Sequence, residues 1–199
     1  MLVSDSRPRQ VVDGEDDLAD AVLIDLDTVL LGMHQGRRGI ELNLAADIPA
    51  SISRLHEVAR RIVVLVDPPP VDTLEALGRE TPTRLQTLHD GLGELADELD
   101  IILCPHGENG TCECSKPDSG LVEHAVAETR IRPRHSWYIG GDQEGVHAGR
   151  SAGLRTIRIG PLGEDHLSNV HRPDYEARDL LDAANRILLD ALNPGAGAK

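Results

Sequence analysis

The sequence predicts an α/β protein: a three-layer, doubly wound parallel sheet with helices on both faces. Three observations predict it. Short apolar, β-branched runs alternate along the chain with stretches whose apolar residues recur at helical spacing, and that order calls for parallel strands joined by crossover helices. The runs end in acids, a cysteine or glycines, the residue types that bind ligands at the carboxyl ends of such strands. The length of 199 residues suits one ordinary domain, with 40% hydrophobic and 27% charged residues, near globular averages. Aromatics make up only 2% and Phe is absent, so Leu, Val, Ile and Ala must build the core.

Ala21–Leu26 is an apolar run ending beside acids, a buried strand. Asp47 and Pro49 mark a helix start, followed by Ile48, Ile52, Leu55 and Ala59 on one face. Ile62–Val66 is the clearest strand, stopped by Pro68, Pro69 and Pro70. Thr81-Pro82 opens a second helix with Leu85, Leu88, Leu92, Leu95 and Leu99, weakened by Gly91 and Gly93. Ile101–Leu103 is a third strand, and Pro105–Ser115 a loop. Asp118 is the expected cap of a helix carrying Leu121, Val122, Ala125 and Val126. Ser136–Ile139 is a fourth strand, Gly145–Ala152 a short helix and Leu154–Ile159 a fifth strand. A terminal amphipathic helix is expected from Pro173 to about Leu192. The expected organisation is a polar leader over 1–20, a single domain over 21–192 and a flexible tail over 193–199.

The net charge of −14 argues against nucleic acid, whose affinity for proteins comes mostly from neutralised phosphates. A small phosphorylated ligand needs only a local positive site. No apolar run reaches the length of a membrane span, and the acidic start lacks the apolar block of a signal peptide. A cytoplasmic protein without membrane contact is expected. Of the 20 basic residues only two are lysine, Lys116 and the terminal Lys199. A lone internal lysine in a chain that otherwise writes arginine marks position 116.

Three cysteines, an odd number crowded into one segment, do not make a disulfide framework. Cys104, His106, Cys112 and Cys114 instead supply three thiols and an imidazole, two ligands from each arm of a glycine-containing loop. That is the ligand set of a closed zinc site, which leaves no coordination position for water and so makes the metal structural. Asp25 and Asp27 stand two apart at a strand end, which puts both side chains on one side if the strand persists. Such a pair can bind a divalent cation and divide nucleophilic and acid–base work. A turn with two solvated acids fits the same two residues.

Together, VLIDLD (22–27) and CPHGENGTCECSKP (104–117) resemble the haloacid dehalogenase (HAD) superfamily, in particular its branch of heptose bisphosphate and histidinol phosphatases. The likeness runs from about Val22 to Ile159 and implies a HAD-like Rossmannoid fold with a minimal cap and a zinc-stabilised loop over 104–116. It implies that Asp25 is a nucleophile forming an aspartyl-phosphate, and that Asp27 is the general acid and then base. Lys116 would neutralise phosphoryl oxygens, Asp25, Asp27 and Asp142 would hold a catalytic Mg2+, and Cys104, His106, Cys112 and Cys114 a structural Zn2+.

The chain departs from that pattern at three places. After the second strand, Val66 and Asp67 stand where the family uses a hydroxyl residue. Val66 cannot donate, and Asp67 brings a carboxylate into the substrate-binding position. Gly141 and Gly145 stand where two metal-site acids belong, with Asp142 one position late. Ser115 replaces an arginine before the lysine. Two possibilities stay open. One is a Mg2+-dependent phosphomonoesterase, a hydrolase for a small phosphorylated sugar or polyol. The other is a catalytically degenerate relative whose zinc-braced scaffold binds a ligand or a protein partner. The stretches 31–43, 67–80 and 105–115, expected as loops, would read the leaving group.

Overall fold

The computed structural model describes residues 20–26, 31–36, 39–67, 81–104, 112–114, 116–160 and 172–193. Six strands form one all-parallel sheet: β1 (Ala21–Asp25), β4 (Arg61–Val66), β5 (Asp100–Leu103), β6 (Trp137–Gly140), β7 (Arg155–Ile159) and β8 (Tyr175–Ala177), in the spatial order β5-β4-β1-β6-β7-β8. From central β1 the chain first builds outward through β4 to β5. It then returns to the other side of β1 for β6, β7 and β8. The carboxyl end of β1 is therefore a topological switch point, where diverging connections open a crevice.

Side-chain alternation sorts the core into two clusters. Val22, Ile24, Ile62, Val64 and Val66 pack with α1 (Ile48–Leu55), α2 (Thr81–Leu92) and α5 (Leu180–Leu192). Ala21, Leu23, Val63, Leu65 and Tyr138 pack against the opposite layer, α3 (Gly120–Thr129) and α4 (Gln143–Ser151). Asp25 continues the Ala21–Leu23 series, and Asp67 the Val63–Leu65 series. Both acids thus leave the sheet on the side of α3 and α4.

The structure corrects several sequence expectations. Leu31–Gly36 and Gly39–Leu44, expected as part of a loop, form an antiparallel pair, β2 and β3. The expected terminal helix begins later, at Leu180, where the Asp179 carboxylate caps it by accepting from the Asp182 amide at 2.7 Å. The residues before it supply β8, anchored where the Thr156 amide and hydroxyl both donate to the Asp174 carboxylate, at 2.7 and 3.0 Å. α3 is preceded by Ser119 rather than capped by Asp118, and Asp47 sits at its cap position without a side-chain bond, its backbone already helical. α2 ends at Leu92, before Gly93, whose φ of +57° favours glycine, and the chain continues as a 3₁₀ turn over Gly93–Glu98. Among the described residues no helix is long and apolar enough to cross a membrane.

Candidate active site

Four elements bring charge to the switch point. Asp25 ends β1, Asp67 follows β4, Asp142 follows β6, and Lys116 lies in the turn leading to α3. The Lys116 ammonium donates to Asp25 Oδ2 and pairs with Asp67 Oδ2 at 2.9 Å and Asp142 Oδ2 at 3.3 Å. Burial alone would lower the lysine, but the three carboxylates outweigh it and hold the ammonium above lysine's ordinary value of 10.5. It therefore carries a fixed charge at any working pH. Three carboxylates thus face one ammonium.

Asp142 has a second task. Its Oδ1 accepts from the Gly145 amide at 2.6 Å, capping α4. Two further residues, absent from the sequence expectations, complete the surroundings. Tyr138 donates its hydroxyl to Asp25 Oδ2 at 3.3 Å. Burial first, and the fields of Asp25, Asp142 and Asp67 after it, push this phenol well above its ordinary 10.0, so it stays a donor. Arg84 of α2 is almost wholly buried and donates Nη1 to the Asp67 carbonyl at 2.9 Å, fixing the chain as it leaves β4. The signal for Tyr138 was the two-residue alternation of β6, which sets it on the Asp25 side of the sheet. For Arg84 it was a charged residue flanking the apolar stripe Leu85, Leu88 and Leu92.

The sulfurs gather beside this pocket. The Sγ atoms of Cys104, Cys112 and Cys114 lie within 4.8 Å of one another, those of Cys104 and Cys112 at 3.4 Å, and none is in a disulfide. Burial, reinforced by Cys104 and Cys112, pushes the Cys114 thiol up to about 12. A soft divalent cation reverses that, since thiolates crowd together readily around zinc. The donor set therefore fits Zn2+. His106, the expected fourth ligand, and Asp27, the second acid of the pair, lie outside the described residues. Mg2+ asks for hard oxygens and commonly takes only one or two carboxylates alongside a phosphate. Asp25 and Asp142, both on Lys116, meet that requirement in kind.

Gly120 joins the two clusters. Its amide donates to the Glu113 carbonyl at 3.0 Å, and a Cβ there would lie 2.4 Å from that oxygen. Gly120→Ala is expected to push the Cys112–Cys114 turn away and to cost about 2 kcal/mol. Chemical denaturation checks this; an unchanged midpoint would contradict the close approach.

Comparison with known proteins agrees with this architecture. The HAD-hydrolase-like family model matches residues 113–183. The histidine biosynthesis bifunctional protein HisB of Campylobacter jejuni is 30% identical over 70 residues, covering 35% of this chain and 20% of that protein. The D-glycero-beta-D-manno-heptose-1,7-bisphosphate 7-phosphatase of Pseudomonas putida is 28% identical over 91 residues, 45% of this chain and 48% of that one. The chain thus spans less than half the length of these curated relatives. The crystal structure of D,D-heptose 1,7-bisphosphate phosphatase from B. bronchiseptica, complexed with magnesium and phosphate, superposes with a TM-score of 0.64 at 20% identity. That match covers 86% of this chain and 99% of the other. The corresponding phosphatase from Burkholderia thailandensis gives 0.57 at 16% identity, over 85% and 98%. At such identities the superpositions speak for the fold.

Proposed function

We propose, for a chain that belongs to the haloacid dehalogenase superfamily, that it hydrolyses a phosphate monoester on a small sugar or polyol, of the heptose bisphosphate or histidinol phosphate type. The observation that carries this is the meeting of Lys116 with Asp25 at the switch point, which sets a fixed cation beside a potential nucleophile. Asp25 would attack phosphorus as the ester P–O bond breaks, forming an aspartyl-phosphate. Asp27, by resemblance, would give a proton to the leaving oxygen and then take one from the water that releases inorganic phosphate and regenerates Asp25. Lys116 would move from its carboxylate partners onto the phosphoryl oxygens, where developing charge rewards a pre-placed cation. Asp25 and Asp142 would hold Mg2+, which would supply further positive charge for a phosphate dianion. Cys104, Cys112, Cys114 and His106 would hold structural Zn2+. The thiols suit a reducing compartment, consistent with a cytoplasmic location.

Asp67 favours a second reading. Its carboxylate pairs with Lys116 where a substrate phosphate would compete for the same ammonium. The test is phosphate release from a panel containing heptose bisphosphate, histidinol phosphate and common sugar phosphates, after chelation and with Mg2+ restored. Mg2+-stimulated release from at least one ester is expected. No release across the panel would overturn the hydrolase in favour of a scaffold for ligand or protein binding.

A further inference from the structure

Tyr138 sits in a space that three glycines make for it. A Cβ built on Gly145 would lie 2.2 Å from the Tyr138 hydroxyl oxygen, one on Gly140 2.6 Å from its ring, and one on Gly149 2.7 Å from its ring. Real side chains do not approach so closely. The tyrosine and the glycines are therefore a matched set: any side chain at 145 would expel the hydroxyl from where it stands. At that place the hydroxyl does one specific thing, donating to Asp25 Oδ2 at 3.3 Å. Tyr138 is 1% exposed and Asp25 3% exposed. A buried carboxylate needs donors, and Oδ2 receives them from Lys116 and Tyr138. A lysine on a flexible stem can swing toward a bound anion. A ring clamped between β6 and α4 cannot.

We propose that Tyr138 is a positioning residue of this site, its hydroxyl seated in the volume left by Gly145 and holding the Asp25 carboxylate in one orientation when Lys116 engages substrate. This rests on the phosphatase reading for its kinetic consequence. The seating of the hydroxyl and its bond to Asp25 do not.

Tyr138→Phe keeps the ring and removes only the hydroxyl. With para-nitrophenyl phosphate and Mg2+, kcat is expected to fall about tenfold while KM changes by less than about twofold. An unchanged kcat would overturn the proposal. Two unfolding cycles need no turnover. Gly145→Ala is expected to lower the melting midpoint sharply alone, and by less than about half as much in the Tyr138→Phe background, because the clash with oxygen is gone. Asp25→Asn and Tyr138→Phe are expected to be non-additive in the same measurement. Additive losses in either cycle would overturn the proposal. If the wild-type protein releases no phosphate from any ester, the phosphatase reading falls, and the two cycles still decide whether Tyr138 holds Asp25.

Discussion

Lys116→Met is expected to reduce phosphate release to background and to destabilise the protein by about 3 kcal/mol, because three carboxylates lose the ammonium that pairs with each of them. Methionine fills similar volume, so the loss is electrostatic. Asp25, Asp67 and Asp142 would then face one another without the ammonium between them, Asp25 almost wholly buried. The pH dependence of the wild-type protein follows from the lysine itself. Its folded value is raised above 10.5, so its stabilisation is complete below that pH and is lost only as pH rises through the higher folded value. Urea denaturation at several pH values, run beside the phosphate assay, checks both effects. A variant as stable and as active as wild type would show that the three acids do not depend on Lys116.

Removal of zinc is expected to have an effect of similar size by a different route. Cys114 is 3% exposed and belongs to the core cluster formed with α3, and Lys116 follows it by two residues. A metal held by Cys104, Cys112 and Cys114 would fix the start of that turn and, through it, the lysine. Chelation is therefore expected to lower the melting midpoint by about 10 °C, from a loss of about 4 kcal/mol, and to lower activity with it. Cys114→Ala should reproduce both losses. Affinity should fall in mild acid, since protons compete for the thiols. Purified protein is expected to carry about one zinc per chain. Metal-free protein with full stability and activity would rule the clasp out.

Much of the sheet was legible because its strands are dense in β-branched residues and end in polar ones. Ile62–Val66 and Ala21–Asp25 needed no tertiary information. β8 was not legible. It is three residues long, Tyr175–Ala177, and Pro173 before it imitates a helix start; only the unfilled edge of β7 makes it a strand. The β2–β3 pair was hidden by its glycines, which lower strand propensity while permitting a close antiparallel pairing. At the site, Asp25, Asp67, Lys116 and Asp142 could be named from strand ends and from the rarity of lysine. The meeting of Asp25 with Lys116 was expected from the resemblance; that Asp67 and Asp142 pair with the same ammonium was not, because it depends on sheet order. Tyr138 escaped for another reason: glycines at 140, 145 and 149 read as turn and helix weakness until the ring they surround is seen.

The most direct measurement is acid-quenched mass spectrometry of the peptide carrying Asp25 during turnover of a phosphate ester. A phosphoryl adduct on Asp25, absent in Asp25→Asn, is the expected result. Turnover with no adduct on that peptide, left intact by Asp25→Asn, would contradict the assignment of β1's terminal carboxylate as the group that takes the phosphoryl.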